Sequence, residues 1–502
     1  MPKEHREPPR QARYPKRSAA VPRRAVPTWL GDVTTSLRPA PAPTAPQLDN
    51  RLARTDAAVR RGGVAAVIAG LLLVTYWWAA GGGLGDLGGW STGLTSLGRW
   101  TGLIASDLLL VQVLLMARIP AVERAVGQDR LAALHRLTGF SSFTLMLAHV
   151  GLITWGYAAG RLGAVPGTFW DLTVTYPGML LALAGTLCLV MVVVTSIRAS
   201  RARLRYESWH LLHLYAYLGV GLALPHQLWT GQEFLTSPAA TVYWWALWAA
   251  AAGAIMLWRI GLPLVRTLRH SLRVTAVVPE DDDVVSVHLT GRHLHRLPAS
   301  AGQFLTWRFL SGLGWSRAHP YSLSAAPDGR RLRITVKAVG DGSALVRALR
   351  PGTRAMVEGP FGRLSERPRT RSKLAFIGAG VGITPLRALA EGLPYAPGDA
   401  VLLQRRSARP LFAHELQVLA RERGLQVLWL PGRRRAPGSW LGEGAGPADD
   451  LTLLRHWVPD IADRDVYVCG PPEWTDAVSR TLTAAGLPAA QLHLENFRMV
   501  TG

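Results

Sequence analysis

Six apolar stretches dominate the first half of the chain: approximately 64–80, 99–117, 138–158, 179–197, 208–227 and 241–262. Each is close to the roughly 20 residues that a helix needs to cross a bilayer. A soluble protein has little use for six such runs in close succession, so the pattern predicts a six-helix membrane bundle. Charge supports this. The segments joining runs two and three (Arg118, Arg124, Arg130, Arg136) and four and five (Arg198, Arg201, Arg203, Arg205) are arginine-rich. So are the N-terminal tail and the stretch after run six (Arg259, Arg266, Arg269), whereas the other three connections hold little beyond Arg161. Positive flanks stay inside, which places both termini in the cytoplasm of a multi-pass cell-membrane protein.

The same arginines account for much of the net charge of +23 without nucleic acid as a partner. Only 18% of the 502 residues are charged, below the roughly 25% of a typical soluble domain. Residues 1–60, rich in Pro, Arg and Ala, read as a disordered basic tail. The first apolar run starts only after residue 62, so no cleavable secretory signal is expected. Cys188 and Cys469 alone suggest neither a disulfide framework nor a cysteine metal site.

Beyond residue 270 the pattern changes. Short alternating runs such as "VVSVHLT" and "RLRITVKAV" predict an antiparallel β sheet or barrel over 270–368. From Lys373 strands alternate with glycine turns and helical segments, as in "KLAFIGAGVGITPLRALAEGL", which predicts an α/β open sheet over 373–502. The helical domain occupies 61–265. The fold class is therefore multidomain: a six-helix transmembrane bundle, an antiparallel β-barrel domain and an α/β nucleotide-binding domain.

Ionisable residues inside a membrane mark function. His135 and His149 lie in or beside the third run, and His210, His213 and His226 in the fifth. At about 1.5 Å per residue, His135 and His149 are about 20 Å apart along a helix, as are His213 and His226. Both runs point outward, so two levels result: His135 with His213, and His149 with His226. Facing imidazoles at one level can hold a haem iron axially. A spacing of fourteen residues returns to within about 40° of one face, but thirteen misses by about 140°. Pro225, just before His226, offers a local break in the helix. His210 is a rival to His213, one turn earlier. Asp107, in the middle of the second run, reads as a buried, hydrogen-bonded carboxyl, with a proton-relay role as the alternative.

Three motifs follow in the C-terminal half. In "HPYSLSAAP", Tyr321 can stack on an isoalloxazine ring and Ser322 can bond its polar edge. In "ITVKAVGDGS", Lys337 precedes Gly340, Gly342 and Ser343, where backbone N–H groups can approach a pyrophosphate. "FIGAGVGITP" places Gly378, Gly380 and Gly382 between a strand and a helix, which favours a phosphate at the helix N-terminus. "CGPP" (469–472) ends a later strand, where ligands of open sheets gather. Arg405 and Arg406 end another strand. They suit a 2′-phosphate, and equally read as surface charges.

In the order of these motifs the chain resembles the ferric reductase and NADPH oxidase superfamily, from about residue 60 to its end. The resemblance implies two bis-histidine b-type haems on His135, His149, His213 and His226. It implies FAD on His319, Pro320, Tyr321, Ser322 and Leu323, with tyrosine where phenylalanine is common. Nicotinamide binding then falls on Gly378, Gly380, Gly382, Thr384 and Pro385 with Cys469, Gly470 and Pro471, and Phe497 is the candidate aromatic cover of the flavin. There is no EF-hand loop. The implied activity is electron transfer from cytoplasmic NADPH, with NADH as the alternative, through FAD and two haems. The acceptor outside is ferric iron, a ferric chelate or dioxygen, with a quinone or a protein partner as further options. A membrane-bound haem and flavin redox sensor, or an electron donor to a protein partner, is the competing reading. A flavin reductase tethered by a haem-free bundle is a third.

Overall fold

The computed structural model describes residues 50–197, 204, 206–231, 237–311, 317–406 and 410–496. Among the described residues of the first half, apolar sequence produces six long helices: α1 (Asn50–Trp78), α2 (Trp90–Met116), α3 (Gln128–Tyr157), α4 (Met179–Ser196), α5 (Tyr206–Thr230) and α6 (Pro238–Ala254). Among the described residues, five helices are long and apolar enough to cross a membrane: Arg51–Gly83, Trp90–Met116, Gln128–Tyr157, Met179–Ser196 and Pro238–His270. The sequence led us to expect six. α5 is a continuous helix of 25 residues but not one of the five. Its three histidines, Pro225 and Gln227 dilute its apolar character. Val74, Trp78, Leu103, Leu110, Leu189, Val220, Trp244 and Ala251 form the core between these helices. Outward, Leu72, Phe140, Leu180, Leu187 and Leu211 are each at least 60% exposed, which suits contact with acyl chains rather than water.

The tail expected over residues 1–60 overlaps a helix. Residues 1–49 lie outside the described residues, but α1 already runs from Asn50. Two distant contacts hold this first stretch. Asp56 accepts two hydrogen bonds from the Arg367 guanidinium, at 2.8 and 2.5 Å, and Arg60 Nη1 donates to Ala125 O at 2.9 Å. A bidentate arginine–carboxylate pair is among the stronger polar contacts a protein makes.

Six strands then form two antiparallel sheets of three: β1 (Arg273–Asp281), β2 (Val284–Thr290) and β5 (Arg331–Lys337), and β4 (His319–Ser322), β3 (Phe304–Phe309) and β6 (Ala355–Phe361). Single bridges, Leu323 to Ile334 and Arg273 to Arg354, join the sheets at both edges. Leu289, Leu305, Trp307, Leu323 and Ile334 are fully buried between them. The remaining strands, β7 (Leu374–Ala379), β8 (Ala400–Arg406), β9 (Gln426–Pro431), β10 (Asp465–Gly470) and β11 (Leu492–Asn496), make a parallel sheet in the order β11-β10-β7-β8-β9. Alternate residues of β7 serve opposite cores: Leu374 and Phe376 on one face, Ala375 and Ile377 on the other. Burial on both faces explains why the strand reads as an unbroken apolar run.

A buried ionic cluster ties the two sheet regions together. Arg333 on β5 meets Glu415 at 2.8 and 2.9 Å, and Arg387 Nε lies 2.7 Å from the same carboxylate. Burial alone would raise the Glu415 carboxyl. Arg387 and Arg333 outweigh it and hold the group at about 2.

Candidate functional site

All five histidines of α3 and α5 line one cavity of about 1910 Å³. That is roughly twice the upper end of a single small-molecule pocket, about 1,000 Å³. His135 and His213 face each other with ring centroids 6.0 Å apart. A metal–nitrogen bond of about 2 Å on each side, plus about 1 Å from each nitrogen to its ring centre, gives about 6 Å for two axial imidazoles. His149 and His226 are close enough to interact electrostatically. His210 instead interacts with Arg308 and Glu358 of the β region and with Arg259. The structure therefore pairs His213, not His210, with His135.

The Nδ1 atoms decide which nitrogen can bind a metal. His135 Nδ1 lies 3.2 Å from Gln112 O, His149 Nδ1 2.7 Å from Gly98 O and His226 Nδ1 2.5 Å from Ala223 O. A carbonyl only accepts, so these three rings carry their proton on Nδ1 and their lone pair on Nε2. At His213, Ser196 Oγ takes the carbonyl's place at 3.3 Å and itself accepts from Trp209 Nε1. Metal-bound histidines are oriented in this way. Gly102 leaves room for the outer ring: a Cβ there would come within 2.4 Å of His149 Nδ1. Among the described residues no group of three or more His, Cys, Asp or Glu is placed to hold a metal ion. Axial haem ligation needs only a facing pair, and the donor set fits it. Asp107 lies apart from this cavity, 1% exposed and hydrogen-bonded to Tyr243 on α6.

The flavin motif forms β4, whose Tyr321 pairs with Leu305 and whose Ser322 pairs with Phe304. His319 and Tyr321 stack at 5.8 Å. Pro320 is exposed, and Leu323 is fully buried. Ser322 Oγ is buried with no hydrogen-bond partner among the described residues, the condition of a group awaiting a ligand. The Gly340–Ser343 loop behaves differently. Ser343 Oγ accepts from the N–H groups of Val339 and Gly340 and donates to Gly340 O, so this hydroxyl closes its own turn. Gly342 follows Asp341 in the helix that this turn opens. Lys337 is paired with Asp283 at 3.2 Å.

In the parallel sheet the strand order reverses between β7 and β10. That is where an open sheet offers a crevice at its carboxyl edge. Gly378 pairs with Cys469 on one side and Gln404 on the other, and Cys469 pairs with Glu495. Gly380 adopts φ +57°, which favours glycine. Gly382 touches the second motif: a Cβ there would lie 2.3 Å from Cys469 O and 2.9 Å from Gly470 N. Thr384 Oγ1 donates to Val381 O at 2.9 Å and, with Pro385, opens the helix Ile383–Gly392. Pro471 precedes the helix Pro472–Ala484. The Gly382→Ala variant should therefore push the two motifs apart and weaken nucleotide binding about tenfold or more, ~1.4 kcal/mol, with the histidine cavity intact. Titration with NADPH checks this.

Two neighbours were not legible in the sequence. Glu495 Oε2 is buried without a partner among the described residues. Burial first, and Asp129 second, raise its carboxyl to about 8. Arg434 stands near Arg405, whose Nε is likewise buried and unpartnered among the described residues. The Arg406 side chain and Phe497 lie outside the described residues.

Comparison with known proteins assigns each half. Residues 101–224 match the family model described as "Ferric reductase like transmembrane component". That stretch of the helical half is similar to the transmembrane component of ferric reductases. The C-terminal half is related to ferredoxin-reductase-type FAD/NAD-binding proteins. It is 33% identical over 243 residues to the ferredoxin reductase component of 3-ketosteroid-9-alpha-monooxygenase from Mycolicibacterium smegmatis, covering 45% of this chain and 65% of that protein. It is 28% identical over 211 residues to a flavohemoprotein of Xylella fastidiosa, covering 40% and 51%. The chain thus spans less than two thirds of these relatives. A solved FAD/NAD binding domain of nitric oxide dioxygenase from Vibrio cholerae aligns at 25% identity and TM-score 0.36, over 46% of this chain and 99% of that one.

Proposed function

We propose that the protein is a transmembrane flavocytochrome b oxidoreductase, carrying electrons from cytoplasmic NADPH to an acceptor outside, a ferric chelate or dioxygen. The observation that carries this reading is the set of four histidines on one cavity, each with Nδ1 engaged by a carbonyl or hydroxyl. In it, His135 with His213, and His149 with His226, hold two b-type haems. Tyr321 and Ser322 hold the flavin of FAD, and Gly378–Gly382 with Cys469–Pro471 hold the nicotinamide nucleotide. Bound there, FAD would supply the conversion of a two-electron hydride donor into single electrons, and the haems would supply one-electron carriers toward the acceptor.

The chain's own part is to place and to isolate. Backbone carbonyls of Gln112, Gly98 and Ala223 fix three imidazole tautomers, and the apolar wall of α2–α5 keeps water from the carriers. The Asp56–Arg367 pair and the Arg118 guanidinium, 4.3 Å over the Phe361 ring, seat the β region against the helices. In this reading the barrel, bundle and nucleotide domains keep the boundaries read from sequence, save the start of α1. Arginine-flanked connections put the reductase half in the cytoplasm.

A pyridine haemochromogen assay on the purified protein tests the haem assignment. Two b-type haems per chain are expected, whereas one or none contradicts it. Electron delivery to a protein partner is the second reading. It is favoured by the relatives, which are named as the reductase component of a monooxygenase and the reductase subunit of a demethylase. Removing residues 1–49 leaves turnover with small acceptors unchanged in the first reading. Loss of coupling to a partner with such turnover intact favours the second.

A further inference from the structure

The four paired histidines of the cavity are not held alike. At His149 and His226 the Nδ1 atom lies 2.7 and 2.5 Å from a main-chain carbonyl, and at His135 3.2 Å. At His213 the partner is a side-chain hydroxyl, Ser196 Oγ at 3.3 Å, on the last residue of α4. The same oxygen accepts from Trp209 Nε1, also at 3.3 Å. Trp209 stands one turn before His213 on α5, and its indole leans on the His213 ring, with centroids 5.0 Å apart and planes 32° apart. Ser196, Trp209 and His213 all line the cavity. An imidazole bound to a metal through one nitrogen keeps its proton on the other and donates it. The stronger the acceptor of that proton, the more basic the ligand becomes. A carbonyl at 2.7 Å is a strong acceptor. A hydroxyl oxygen at 3.3 Å that already takes an indole N–H is a weaker one.

We propose that Ser196 and Trp209 are positioning residues that together set how strongly His213 donates to a metal, and so the reduction potential at the His135–His213 level. The proposal rests on the haem reading above and names the side chains that tune one of its two levels. Hydrogen bonding to an axial ligand is one of the levers by which a protein sets a haem potential. The two residues act with opposite signs. Ser196 accepts the Nδ1 proton and strengthens the ligand, which favours the oxidised metal. Trp209 draws on the same oxygen and weakens that acceptance, which favours the reduced metal. If the two only pack the end of α4 against α5, substituting either one disturbs the site in the same direction.

The test is an anaerobic redox titration of the purified full-length protein, followed at the haem absorption bands. Ser196→Ala should raise the potential of one haem, favouring its reduced form about tenfold, which is about 59 mV for one electron. Trp209→Phe keeps an aromatic ring beside His213 and removes the N–H. It should shift the same haem the other way, by about threefold. Ser196→Thr keeps the hydroxyl and should stay within about twofold of wild type. The haem that moves should be the one missing from His213→Ala, and the other should stay in place. Shifts of the same sign in Ser196→Ala and Trp209→Phe overturn the proposal and leave the haems standing. So does a shift shared by both haems, or no shift in either variant. If Ser196→Ala loses haem, the sign in Trp209→Phe and the rescue by Ser196→Thr decide. Wild-type protein without haem overturns the haem reading itself.

Discussion

His149→Ala should lower the haem content from two to one per chain and reduce acceptor turnover by more than about 100-fold, because a ligand matters at least as much as the groups that orient it. The remaining haem, on His135 and His213, should still be reduced by NADPH. His213→Ala should behave differently. In the proposed arrangement it should remove the haem on the flavin side and leave the outer one out of reach of NADPH. The asymmetry follows from which pair faces the reductase half: His210, next to His213, already interacts with Arg308 and Glu358 of the β region. Haem quantitation and anaerobic spectra of the two variants check it. Identical spectra for both would contradict the two-level arrangement.

The second large effect concerns the buried cluster between the two sheet regions. Arg333→Met leaves the Glu415 carboxylate with Arg387 as its remaining close cation. Breaking a buried ion pair costs about 3–5 kcal/mol, and the surviving Arg387 places this change near the lower end. For a reductase half of this size, about 3 kcal/mol corresponds to a Tm lower by about 6–12 °C. The effect should depend on pH with a definite sign. The folded Glu415 carboxyl sits at about 2, below its ordinary 4.5. Its contribution is complete above about pH 4.5 and is lost as pH falls toward 2. The Tm gap between wild type and variant should therefore be widest near neutrality and close in acid. Calorimetry across that range measures it, and a gap independent of pH would contradict the pairing.

What the sequence carried, and what it hid, follows from range. Histidine spacing within one helix was legible, because fourteen residues along α3 fix both height and face. The mate of each histidine was legible only as a level. Height already favoured His213 over His210, and it is His213 whose ring lies 6.0 Å from that of His135. The glycine turn at Gly378–Gly382 was legible as a turn from strand to helix. Its close approach to Cys469 depends on a strand ninety residues later and was not. The start of α1 was misread because its first turns are polar and arginine-rich. They are held by Asp56 and Arg367, 311 residues apart. Glu495 gains its place from strand register across a parallel sheet, which no local pattern reports. Ser343 carried the right motif for a ligand, yet its hydroxyl closes its own turn.

The central claim is that nicotinamide, flavin and haem lie on one connected path. An anaerobic absorption spectrum of the purified protein, before and after NADPH, tests it most directly. The account predicts reduced b-type haem bands on addition of NADPH. Haem that stays oxidised in FAD-replete protein would contradict the path, and protein without haem would contradict the roles given to His135, His149, His213 and His226.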